Sequence, residues 1–98
     1  MKYIYTTVIL CLFSVSVIAS QDEYDDCILK YLKGAKIDVA THLIMQACQQ
    51  NYKSPTFTSE RKKAFNQCIL ENLVGVESVP AAMEIKAVCD RKSRKGIK

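Results

Sequence analysis

Apolar residues recur at helical spacing in four stretches of the chain. The first stripe is Tyr24, Cys27, Ile28, Tyr31 and Leu32, and the second is Ala40, Leu43, Ile44, Ala47 and Cys48. The third is Phe65, Cys68, Ile69, Asn72 and Leu73, and the fourth is Ala81, Glu84, Ile85, Val88 and Cys89. Each keeps the spacing of a helix that buries one face. Glu84 stands where the second stripe has Leu43, which places that position at the edge of the buried face. No stretch alternates apolar and polar residues between hairpin turns, as a half-buried strand would. The pattern predicts an all-α fold.

Punctuation between the stripes divides the chain into two similar units. Gly34 and Gly75 follow the first and third stripes, where a helix places a left-handed terminal residue. Asp38 is expected to cap the second helix. Ser78 is expected to cap the fourth, with Pro80 in its first turn, where proline is tolerated. Each unit therefore reads helix, glycine turn, helix. Between them, residues 49–63 form a connector. Ser54-Pro55 closes the second helix region. Thr58 or Ser59 can cap the third, with Glu60 at its positive end. Residues 91–98 have no apolar periodicity and are expected to form a flexible basic tail.

A shift of 41 residues aligns "YDDCILKYLKGAKIDVATHLIMQAC" (24–48) with "FNQCILENLVGVESVPAAMEIKAVC" (65–89) without a gap. The shared ladder pairs Tyr24 with Phe65, Cys27 with Cys68, Ile28 with Ile69, Leu29 with Leu70, Leu32 with Leu73, Gly34 with Gly75, Ala40 with Ala81, Ile44 with Ile85 and Cys48 with Cys89. Self-similarity at one offset marks a duplicated structural unit. The expected architecture is two tandem disulfide-stapled helical hairpins forming a small four-helix domain over residues 20–90.

The N-terminal residues differ from this pattern. Lys2 precedes an apolar run from Val8 to Ile18, and Val17 and Ala19 are spaced as in a small-residue cleavage site. That is the layout of a secretory signal peptide over residues 1–19. The uncharged stretch from Tyr3 to Ser20 reaches the length of about 18 residues at which an uncleaved anchor becomes an alternative. Its shorter apolar core and its cleavage site favour removal. Bulky Leu10 before Cys11 argues against lipid attachment there.

Export changes how the cysteines are read. Beyond Cys11 there are four: Cys27, Cys48, Cys68 and Cys89. An even set in a short exported chain implies a disulfide framework. A four-thiolate zinc site would bring its ligands in close pairs two to four residues apart, and these cysteines are evenly and widely spaced. Spacing alone allows three pairings. In an antiparallel hairpin, however, residues equidistant from the turn lie opposite each other, and a duplicated unit would carry its own bridge. The expected bridges are Cys27–Cys48 and Cys68–Cys89.

The succession aromatic-x-x-Cys-Ile-Leu-x-x-Leu-x-Gly, followed by Ala, Ile and Cys at helical spacing, resembles a motif of short exported bacterial proteins of unknown function. The segment "CQQNYKSP", Cys48 to Pro55, is similar to the Cys-x-x-x-Tyr-x-x-Pro ending expected of that motif. The resemblance covers about two thirds of the mature chain. The second unit departs from it at Val79-Pro80 and lacks the tyrosine-proline exit. The resemblance implies export and the hairpin, and it carries no catalytic residue.

Charge narrows the function classes. The full chain has 14 basic and 10 acidic residues. Loss of Lys2 with the signal would leave a mild excess of about three positive charges, too little to indicate nucleic acid. His42 is the only histidine and has no nucleophile or acid pattern around it, so an exposed or packing histidine is expected. Asp22, Glu23, Asp25 and Asp26 lack the glycine turn of a calcium loop and suit a helix start. Arg91, Lys92, Arg94, Lys95 and Lys98 are the candidate contact with an anionic surface. No aromatic residue interleaves with them, which disfavours single-stranded nucleic acid. No cofactor is expected, and no constellation supports an enzyme. The sequence suggests a small exported, non-catalytic binding protein whose partner is another extracellular or envelope protein. The alternative is a secreted membrane-active or effector-like peptide acting through its basic helices and tail.

Overall fold

The computed structural model describes residues 15–96; the signal segment expected at 1–19 lies mostly outside them, as do Cys11 and Lys98. Four α-helices follow in order: α1 (Val15–Tyr31), α2 (Asp38–Cys48), α3 (Glu60–Asn72) and α4 (Val79–Gly96). A 3-10 turn at Leu32–Gly34 ends α1, a π-helical turn at Gln49–Lys53 extends α2, and a second 3-10 turn spans Pro55–Phe57. There is no strand among the described residues, so the all-α expectation holds.

The helices form two hairpins, α1/α2 and α3/α4, joined where α2 packs on α3. Ala40, Ile44, Ala47 and Cys48 from α2 meet Phe65, Ile69, Leu70 and Leu73 from the α3 region, and Ala82 and Cys89 from α4 complete the core. The wholly buried alanines at 40, 47 and 82 bring little side chain between the helices, so their axes can approach closely. In α1, only Cys27 is fully buried among the residues whose side chains are described; Tyr24, Ile28 and Tyr31 lie half-buried against the core. Burial is thus concentrated on the three helices after the first.

Several local expectations are met by specific bonds. Ser59 caps α3 by accepting the Lys62 N–H at 3.1 Å. Ser78 caps α4 by accepting the Ala81 N–H at 3.2 Å, and Pro80 lies in the first turn. Ser54-Pro55 does end the second helical region: the Ser54 N–H donates to the Gln49 carbonyl at 3.0 Å, which closes the π turn. Thr58 instead donates its hydroxyl to the carbonyls of Gln50 and Ser54.

Other expectations are corrected. Asp38 does not cap α2; Ile37 occupies the cap position and Asp38 is the first helical residue. The connector at 49–63 is largely helical, because the π turn continues α2 and α3 begins at Glu60. Residues 91–96 are not a frayed tail but the last turns of α4, where Ser93 is 3% exposed and donates to the Asp90 carbonyl. In the full chain the acidic run 22–26 sits within α1 rather than at its start; cleavage after Ala19 would return it to the first turns.

The two glycines also differ. Gly75 has φ +85°, the left-handed conformation expected after a helix. Gly34 does not. It is needed for proximity: a Cβ there would lie 2.5 Å from Cγ1 of Val74. The Gly75 N–H donates to the Gly34 carbonyl at 3.0 Å, so the two turns are bonded to each other and tie the hairpins together at that end.

Candidate functional site: the basic face of the last helix and the groove beside it

All four domain cysteines are oxidised in pairs. Cys27 bonds to Cys48 with a Cα separation of 5.7 Å, and Cys68 bonds to Cys89 with 5.5 Å. Each bridge staples one hairpin, as expected, and the pairing leaves none of these four thiolates for zinc. His42 is exposed on α2. The acidic side chains of residues 22–26 are exposed along α1. Among the described residues, no group of three His, Cys, Asp or Glu side chains is placed to hold a metal ion.

The basic residues near the C-terminus are ordered by the helix that carries them. At 100° per residue, Arg91, Lys92, Arg94 and Lys95 spread over roughly 160° of the circumference of α4. All four are exposed, and buried Ser93 lies on the opposite side. Arg94 pairs with Asp90, which also accepts a bond of 2.9 Å from Arg61 at the start of α3. Arg91 lies 3.9 Å from Glu84. Lys92 and Lys95 have no carboxylate partner among the described residues. These pairs are exposed and each contributes about 1 kcal/mol or less. They set side-chain positions more than stability.

A groove runs beside this face along the α3–α4 seam. Phe65, Met83 and Ala87 form its apolar floor, with Lys62, Lys86 and Asp90 at the rim. The Lys62 ammonium sits 4.5 Å from the centre of the Phe65 ring, a favourable cation–π placement. Met83 is 44% exposed, and Val79, one turn earlier on α4, is 53% exposed. The only carboxylate at the rim, Asp90, is already engaged by two arginines. The groove therefore combines accessible apolar surface with a surplus of positive charge.

Sequence residues 5–93 match the model of the family described as four-cysteine protein VF_A0006-like. The chain belongs to this family. No curated protein and no solved structure matched the chain. The match spans the core of both hairpins, and the four cysteines paired here agree in number with the family's description.

Sequence patterning missed two features of this family member. One is the groove: Met83 and Ala87 lie outside the predicted stripe of α4. That stripe is itself shifted, because Ala82 is buried while Ala81 is exposed. The other is Asn66, which is 2% exposed. Its amide donates to Gln50 Oε1 at 3.0 Å and to Asn51 Oδ1 at 2.9 Å, and Asn51 in turn donates to the Lys63 carbonyl. This polar node fastens the π turn to α3. A signal was present: Phe65, Asn66, Ile69, Leu70 and Leu73 also keep helical spacing, with one polar residue inside the stripe. Asn66→Ala should cost about 1 kcal/mol, because the node loses two hydrogen bonds while its other members remain near water. Urea unfolding of both proteins measures this. An unchanged midpoint would show that water replaces the amide without loss.

Proposed function

We propose that the protein is a small exported, non-catalytic binding protein that engages another extracellular or envelope protein through the α3–α4 face. The observation that carries the proposal is the groove, where exposed Met83 lies beside Lys62 and Lys86 with the rim carboxylate, Asp90, already paired. Aromatic and methionine side chains are enriched at protein interfaces. Export is supported by the two disulfides, which persist in non-reducing compartments. The common 21-residue separation of the bridged cysteines supports descent of both hairpins from one ancestral unit.

The basic arc of Arg91, Lys92, Arg94 and Lys95 favours a second reading, contact with an anionic membrane surface. Against a membrane-disrupting peptide, the arc of α4 that carries Ala82 and Cys89 is occupied by the core. No helix among the described residues is long and apolar enough to cross a membrane.

Lysine-directed cross-linking in the native host followed by mass spectrometry separates the two. The expected result is protein cross-links through Lys62 and Lys86, abolished by Met83→Glu. Rapid dye release from anionic vesicles, with no such cross-links, would overturn the protein-binding proposal in favour of the membrane one.

A further inference from the structure

We propose that Sγ of Cys68 is a site of thiol–disulfide exchange, the point at which a low-molecular-weight thiol enters this protein. The four bridged cysteines differ in access. Cys48 is 0% exposed, Cys89 1% and Cys27 4%, whereas Cys68 is only half-buried. Cys68 also borders two adjoining surface depressions, which share Asn72 and Lys92; Cys89 lines one of them, Cys68 both. An attacking thiolate needs an open line to one sulfur of the bridge. In the folded state Cys68 is the most exposed of the four.

Charge does not separate the two bridges. Glu71 and Glu84 face Lys92 around Cys68, and Glu23 and Asp26 face Lys30 around Cys27. Each bridge therefore has two carboxylates against one ammonium, and steric access decides. Cys27 lines a depression together with Tyr31 and Tyr52, but at 4% exposure it presents much less surface to an attacking thiolate than half-buried Cys68. At Cys68, the Asn72 amide already points a donor toward Sγ at 3.8 Å, in addition to its bond with the Cys68 carbonyl.

The exchange balances without an added oxidant or reductant. The electron pair of the attacking thiolate forms a new S–S bond to Cys68 Sγ. The Cys68–Cys89 bond breaks, its pair leaves on Cys89 Sγ, and that thiolate takes a proton from water. The product is a mixed disulfide at Cys68 and a free thiol at Cys89. The Cys27–Cys48 bridge and the core contacts of Phe65, Leu70, Leu73 and Ala82 remain, so the domain stays folded when this bridge opens.

The test exposes the oxidised full-length protein to reduced glutathione under native conditions, quenches with acid and an alkylating agent, and maps adducts by mass spectrometry. Glutathione adducts on Cys68 should exceed those on each of the other three bridged cysteines by about tenfold or more. The same reaction in denaturant should erase the preference, because access is then equal. Adducts on Cys27 or Cys48 at equal or higher levels would overturn the proposal, as would the absence of any adduct in the folded protein.

Discussion

Replacing Cys27 and Cys48 together with alanine lowers the stability of the protein by about 3 kcal/mol and frees α1 while the other three helices stay packed. The global loss follows from the unfolded state: the bridge joins residues 21 positions apart and restricts the unfolded chain. The local effect follows from how little else holds α1. Cys27 is its one fully buried residue among those described, and Leu29 is 65% exposed. The Lys53 ammonium over the Tyr24 ring, 5.0 Å from its centre, adds only a weak tether. The matched variant, Cys68→Ala with Cys89→Ala, removes a bridge of the same separation. It should therefore lose a similar amount overall, but α3 and α4 keep Phe65, Ile69, Leu70, Leu73 and Ala82 between them and their neighbours. Hydrogen exchange resolved by mass spectrometry distinguishes the two variants. Amides of residues 24–31 should lose protection selectively in the first variant, and protection should fall evenly in the second. Retained protection of α1 without its bridge would mean that the half-buried tyrosines suffice.

Gly34→Ala is expected to cost about 1–3 kcal/mol through overpacking, and Val74→Ala should restore most of it. The added Cβ would come within 2.5 Å of Val74 Cγ1, closer than packed carbons tolerate. Relief by backbone movement would stretch the bond from the Gly75 N–H to the Gly34 carbonyl, which joins the hairpins. Val74 is 39% exposed, so truncating it alone should change little. Gly75→Ala makes a useful contrast. Nothing lies within 4 Å of the Cβ it would add, yet its φ of +85° disfavours any side chain. Its cost, about 1 kcal/mol, is conformational and Val74→Ala should not rescue it. A double-mutant cycle in urea reads both couplings. A coupling near zero between positions 34 and 74 would contradict the packing account.

These glycines show how far the sequence could be read. They align as equivalent positions, and each does mark the end of a helical stretch. Only one needs the left-handed conformation; the other is small because a neighbour from the opposite hairpin arrives there. A one-dimensional pattern records that glycine is tolerated, not which atom makes it necessary. The third stripe has the same limitation. Cys68 and Asn72 were assigned inward, yet Asn72 is exposed and Cys68 half-buried, while Asn66 and Leu70 are buried. Helix α3 lies between α2 and α4, so it buries a wider face than one hairpin partner would require. The helix over 91–96 left no apolar pattern in the sequence, because Ser93, its one buried side chain among those described, is polar.

What the sequence determined by itself was local: helices from the 3.6-residue apolar period, a cap at Ser78, and cysteine partners once the repeat gave each hairpin its own bridge. Those follow from chain geometry within about 20 residues. The tertiary structure alone decided which arc of each helix is inside, why Gly34 is glycine, how Asn66 fastens the π turn, and that Met83, Lys62 and Lys86 share one groove. Those depend on which helices become neighbours, and packing between segments far apart in the chain sets that choice.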